Sequence, residues 1–236
     1  MINVFGEEIE QKLFLIPMEI LELKEFLGNR FQSTFQSEIS SIIKPLKKYL
    51  DKGYPLSLGK EIWEYVVCES LENSIWSGAG NSIVDVSYNN IGCDVKSISI
   101  LDGTHTTEAS LYQTFKETTS TYFHNNDAKS LWKLFVDGWQ DKVCSVNDYR
   151  LLIIVRDKNS MNCSICGFKL TGDKIPYSDI NHSLSESYMK VNSLIDYDFA
   201  DIKIYKSKTR LEIRLKRNFI QNSKYFLSIF DYDKSI

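Results

Sequence analysis

The sequence predicts an α/β fold: a central mixed β-sheet flanked by helices, with a helical N-terminal region and a basic C-terminal β-hairpin. Three observations carry this expectation. In residues 83–98, two runs rich in β-branched residues surround Asn89-Asn90. That is a two-residue hairpin signal, because Asn tolerates the positive φ of a type I′ turn. Leu151-Leu-Ile-Ile-Val is a continuous apolar run, the pattern of a strand buried on both faces. Around these strands, apolar residues recur at helical spacing.

The elements follow in order. Residues 7–52 read as helical, through Ile9, Leu13, Ile16, Ile20, Leu23 and Phe26, then Phe31, Phe35, Ile39 and Ile43. Pro17 marks a boundary or first turn, and Pro45 a stop or kink. Lys52-Gly53-Tyr54-Pro55 is a turn. Residues 59–74 form an amphipathic helix that leads through a glycine-bearing loop, Trp76 to Ser82, into the hairpin. After the loop 101–107, Thr106 or Thr107 can cap a helix running to about residue 123. A second helix puts Leu131, Phe135 and Trp139 on one stripe. Ser164 to Leu170 is a partner strand for 151–155. Residues 173–198 read as irregular or partly helical. Ile202 to Lys206 and Leu211 to Lys216 alternate apolar and polar residues around a turn, giving the second hairpin. Phe226 to Phe230 is a terminal strand.

The 236 residues suit one large domain, with no repeat, low-complexity tract or clear linker. Within 1–236 the reading separates a helical region (1–55), a core (56–160), and a region of strands and hairpin (161–236). With 43% hydrophobic and 25% charged residues, the chain has the composition of a globular protein with a sizeable core. No apolar run approaches the roughly 20 residues of a membrane span. The start, Met-Ile-Asn-Val-Phe-Gly-Glu-Glu, lacks the basic and apolar regions of a secretory signal. A cytoplasmic location and no membrane partner are expected. The five cysteines are scattered and odd in number, which does not suit a disulfide framework. Cys163 and Cys166 make a lone C-x-x-C with no second ligand pair, and read as small residues of a strand.

Net charge is −3. Between Lys203 and Arg217, however, seven basic residues (Lys203, Lys206, Lys208, Arg210, Arg214, Lys216, Arg217) face only Glu212. That stretch carries +6 and the remainder −9, a distribution that permits local binding of a polyanion. As a ribbon it suits DNA: lysines for phosphates, Arg210 and Arg214 for base edges. The bland alternative is an edge strand protected by charge.

The first hairpin carries the chemistry. Counting outward from Asn89-Asn90, Tyr88 faces Ile91, Ser87 Gly92, Val86 Cys93 and Asp85 Asp94. Side chains alternate along a strand, so Lys96 shares the face of Asp94. Asp85, Asp94 and Lys96 are thereby expected together. Two facing carboxylates repel unless a cation lies between them, and hard divalent cations prefer oxygen. On the preceding helix, Glu61 and Glu64, three apart, share a flank; Glu61 reads as a solvated face, and Glu64 lies on the helix that leads into the hairpin. The bland reading is a surface hairpin with a modest salt bridge.

Asp85 followed by Asp94-Val95-Lys96, with Gly59 and Glu64 before and Gln113 after, resembles the PD-(D/E)xK nuclease superfamily. Within it, the chain looks most like a type II restriction endonuclease. Val84 stands at the place of the motif's nominal proline. The resemblance covers about residues 59–123. It implies a restriction-endonuclease-like fold, with 56–160 as the catalytic core of a single nuclease domain. It also implies a Mg²⁺-dependent, sequence-specific endonuclease acting on double-stranded DNA. Asp85, Asp94 and the Val95 carbonyl would hold Mg²⁺, Glu64, favoured over Glu61 and Glu69, would hold a second metal or a metal-bound water, and Lys96 would orient or help deprotonate the attacking water. Gln113 and Lys116 lie on the flank that could return to the hairpin. A homodimer and a companion DNA methyltransferase are further implications of the family. Phe14, Leu15, Phe26, Phe31 and Phe35 are candidates for the dimer interface or, equally, for ordinary core packing. The alternatives are a structure-specific or repair nuclease of the same superfamily, and a non-catalytic nucleic-acid-binding protein.

Overall fold

The computed structural model describes residues 15–54, 58–77, 84–100, 108–113, 122, 125, 127–144, 146, 148–157, 160–170, 180–184, 188–193, 199–205 and 210–235. A mixed seven-stranded sheet organises them. Its strands are β1 (Leu15–Pro17), β2 (Ile75–Trp76), β3 (Val86–Tyr88), β4 (Ile91–Ile100), β6 (Asp148–Asp157), β7 (Cys163–Leu170) and β12 (Leu227–Phe230). The order is β1-β7-β6-β4-β3-β2, with β12 also on β7. β4 and β6 are parallel; the other pairs are antiparallel. A second, antiparallel sheet has the order β5-β11-β10-β9-β8. It consists of β5 (Glu108–Gln113), β8 (Ile180–Leu184), β9 (Tyr188–Ser193), β10 (Ala200–Tyr205) and β11 (Arg210–Leu215). The helices are α1 (Ile20–Leu27), α2 (Phe31–Ile43), α3 (Lys47–Leu50), α4 (Lys60–Ser70), α5 (Ala128–Cys144), α6 (Arg217–Ile220) and α7 (Tyr232–Ser235). This is the α/β class the sequence predicts, with a mixed sheet and flanking helices.

The apolar run in β6 explains the layering. Leu152 and Ile154 face a core built with Phe31, Phe35 and Ile39 of α2 and with Trp63, Val66 and Val67 of α4. Leu151 and Ile153 face the opposite way, onto Trp132 and Phe135 of α5 and onto Ile204, Leu211 and Ile213 of the second sheet. Helices thus cover one face of the main sheet, and α5 with the second sheet covers the other. Cys163 and Cys166 fall in these two different cores. Burial pushes the Cys163 thiol up to about 12 and the Cys166 thiol higher. They are inert packing residues on opposite faces, as their strand reading requires.

Several expectations are corrected. Leu15–Pro17 is a strand, not helix, on β7. Pro17 is tolerated there because an edge position does not need its missing N–H. Glu108–Gln113 is a strand on β11, not a capped helix. Pairing with a neighbour overrides the local pattern, as strand preference is set largely by context. Gln113 pairs with Arg210 in the second sheet rather than returning to the first hairpin. Lys116, Thr106 and Thr107 lie outside the described residues. Within 173–198, β8 and β9 form an antiparallel pair.

The basic hairpin exists, with Ile202 opposite Ile213 and Ile204 opposite Leu211. Its described strands do not stand apart as a two-stranded ribbon, since β10 and β11 are inner strands between β9 and β5. Its apolar residues need the core more than its basic ones need solvent. Leu15, Phe31 and Phe35 are buried at 0–1% exposure. They are therefore core residues, not a dimer surface. Phe26 sits partly buried on Tyr88, ring centroids 5.6 Å apart, and Phe14 lies outside the described residues.

The first hairpin has the predicted turn. Asn89 and Asn90 adopt φ of 49° and 63°, and Tyr88, Ser87 and Val86 pair with Ile91, Gly92 and Cys93. A Cβ on Gly92 would stand 2.7 Å from Val84 Cγ1, so the hairpin also needs glycine beside the strand that leads into Asp85. Asn90→Val places a β-branched residue in the left-handed region, at a cost of about 1–2 kcal/mol. Its melting temperature is expected to fall accordingly, and an unchanged melting curve would contradict this turn geometry.

Candidate active site

Strand pairing stops at Val86 opposite Cys93, one residue before the expected Asp85–Asp94 pair. The Asp85 N–H donates to the Cys93 carbonyl at 3.0 Å, and its C=O accepts from the Ser77 N–H at 3.1 Å. In a regular strand both backbone groups of one residue face the same neighbour. Here they serve β4 and the β2 side at once. This bulge-like kink re-aims the side chain, a device common beside functional sites. Asp85 Oδ2 then accepts the Val95 N–H at 2.8 Å and takes Lys96 Nζ at 2.9 Å. The carboxylate fills the ladder position that a residue of β3 would take if pairing continued. By the same-edge rule, the Val95 carbonyl points to this side too.

Lys96 Nζ also lies 3.7 Å from Asp94 Oδ2. Asp94 is 3% exposed, and its charge acts on the buried Tyr149 phenol of β6. Burial, then the Asp94 charge, holds the Tyr149 phenol well above its usual range, so it stays protonated. From the other side comes α4. Glu64 is 1% exposed, and Lys60 Nζ stands 2.6 Å from its Oε1 and 3.4 Å from Asp85 Oδ1. Glu61 and Glu69 are exposed, so Glu64 is the helix acid turned to the site. Lys60 and Tyr149 were not expected. The Lys60–Glu64 spacing of four was a usable signal. Tyr149 gave none, because the strand beside β4 depends on a crossover the sequence does not spell out.

The electrostatics follow from this arrangement. Burial alone would raise the Asp85 pKa. The Lys96 charge, the Val95 N–H and Lys60 outweigh it and hold the carboxyl below its ordinary value. Glu64 is raised, chiefly by burial and also by the Asp85 charge, against the opposing pull of Lys60. Asp85 therefore adds stability above its unfolded value of about 3.9, and loses it as pH falls through the lower folded value. Between those limits, the melting temperature of Asp85→Asn should fall less steeply with acid than that of the wild type. Equal slopes would contradict the assignment.

Asp85, Asp94, Glu64 and the Val95 carbonyl are hard oxygen donors of the kind Mg²⁺ takes. Three carboxylates against two ammoniums leave one net negative charge. Among the described residues, no three or more His, Cys, Asp or Glu side chains already converge closely enough to hold a metal. Lys60 and Lys96 stand between the carboxylates. The donors fit an ion once an ammonium gives way.

Of the basic stretch, Lys203 is opposite Glu212 and Arg214 opposite Asp201. Arg210 and Lys216 are partly buried and Arg217 is exposed. Lys206 and Lys208 lie outside the described residues. Among the described residues, no helix is long and apolar enough to cross a membrane. No family model matches the chain, and neither a curated protein nor a solved structure matches it.

Proposed function

We propose that this chain is a Mg²⁺-dependent endonuclease of the type II restriction kind, hydrolysing phosphodiester bonds in double-stranded DNA. The observation that carries the reading is the convergence of Asp85, Asp94 and Lys96, with Lys96 Nζ 2.9 Å and 3.7 Å from the two carboxylates. A restriction-endonuclease-like fold is part of the same proposal, supported by the mixed sheet with β4 parallel to β6. Asp85 and Asp94, with the Val95 carbonyl, are the ligands for the ion. Bound there, Mg²⁺ would supply Lewis acidity and a bound water more acidic than bulk water. Asp94 is buried beside Tyr149 of β6. Lys96 orients the attacking water and holds negative charge on the scissile phosphate. The buried faces of β4 and β6 fix both residues, so little reorganisation is needed when charge develops.

One observation favours a second reading, a structure-specific nuclease. The basic hairpin is held within the second sheet, with acids opposite Lys203 and Arg214. That suits phosphate contact better than insertion into a groove. A digest of a long defined duplex and of a branched junction, both with Mg²⁺, separates the readings. Discrete fragments from the duplex support the restriction reading, and cutting confined to the junction supports the second. No cleavage of either overturns both.

A further inference from the structure

The placement of Lys60 breaks local rules. It is the first residue of α4, where the helix dipole disfavours a cation. Lys followed by Glu at i+4 is also the weaker orientation of such a pair. Its partner Glu64 is 1% exposed, and a carboxylate buried to that degree needs a counter-charge. Helix stability does not account for this pair. Its geometry across the site does: Lys60 Nζ bridges Glu64 Oε1 at 2.6 Å and Asp85 Oδ1 at 3.4 Å. Lys96 Nζ bridges Asp85 Oδ2 at 2.9 Å and Asp94 Oδ2 at 3.7 Å. Asp85 thus sits between two ammoniums, one on each oxygen. The two bridges differ in tightness. Lys96 is loose on Asp94, and Lys60 is close on Glu64.

We infer that Lys60 is a resident counter-cation that fills the position between Glu64 and Asp85 and limits this site to one divalent ion. The inference rests on the metal-dependent reading proposed above. The ion enters on the Asp85–Asp94 side, where the ammonium contact is the longer one. Glu64 stays paired with Lys60 and is not a ligand. Glu64 then acts as a positioning residue: it holds Lys60, which holds Oδ1 of Asp85, so that an ion meets Asp85 at Oδ2, where Lys96 Nζ gives way to it. Lys60 is 57% exposed along its side chain, so its ammonium also stands at the mouth of the site, where a phosphodiester would approach.

Mn²⁺, which accepts the same oxygen ligands, counts the sites directly. The wild-type chain without DNA is titrated with Mn²⁺, and bound ion is measured by electron paramagnetic resonance and calorimetry. One ion per chain is expected. Lys60→Met keeps most of the stem and removes the charge, leaving Glu64 and Asp85 to face each other; two ions per chain are expected. Lys60→Arg restores a cation and should restore one. Glu64→Gln removes the second anion and should bind one ion whether or not Lys60 is present. Equal stoichiometry in wild type and Lys60→Met overturns the inference, as do two ions in the wild type. No Mn²⁺ bound by wild type overturns the metal-dependent reading itself, which is a distinct result.

Discussion

Lys96→Ala is expected to yield a folded protein that cleaves DNA about 10²–10⁴-fold more slowly than wild type, the range for loss of a positioned proton-transfer group. Lys96 also holds the Asp85 carboxyl below its ordinary value, so the fold of the variant is checked beside its rate. Its ammonium touches two carboxylates and its side chain is 15% exposed. Asp85 keeps the Val95 N–H when Lys96 is removed, so the bulge survives. Circular dichroism checks the fold, and single-turnover cleavage measures the rate. The loss should appear in the chemical step and not in DNA affinity, because one lysine among many contributes little to phosphate binding. A variant that cut as fast as wild type would remove Lys96 from the mechanism.

Phe35→Ala is expected to be the most damaging change away from the site. Phe35 is fully buried, stacks on Phe31 with centroids 5.8 Å apart, and lies 6.5 Å from Trp63. Truncating a buried Phe costs about 3–5 kcal/mol, a large share of the 5–15 kcal/mol typical of a folded domain. For a chain of this size, the melting temperature should drop by about 6–20 °C. Trp63 precedes Glu64 on α4, so loss of this stack also loosens the acid that the helix presents. If Phe35 instead served an interface, the variant would keep its melting temperature and change its oligomeric state. Sedimentation and thermal melts together decide between these outcomes. A dimer, where one forms, must use a surface other than this core.

The site was more legible in the sequence than the sheet around it. Asn89-Asn90 fixed the hairpin register to the residue, because two positive φ values leave few other turns. That register put Asp94 and Lys96 on one face by parity alone. The route taken by Asp85 was not legible, since a bulge adds no residue type that advertises it. The apolar run 151–155 announced a central strand, because only burial on both faces explains it. The strands at 108–113 and 180–193 were missed for the opposite reason. They are mostly polar, lack the β-branched runs of β4 and β6, and become strands through their neighbours. The basic hairpin was placed correctly as two strands, but its surroundings were not. Alternation says that one face is buried and does not say how many strands lie alongside.

The central claim is that Asp85, Asp94 and Lys96 form a metal-dependent phosphodiesterase site. The most direct measurement is a parallel digest of defined duplex DNA by wild type and Asp94→Asn, each with Mg²⁺ and with EDTA. Asn removes a ligand charge while keeping nearly the same shape. Cleavage only by wild type, and only with Mg²⁺, is the predicted result. Cleavage by Asp94→Asn at the wild-type rate, or by wild type in EDTA, would contradict the claim.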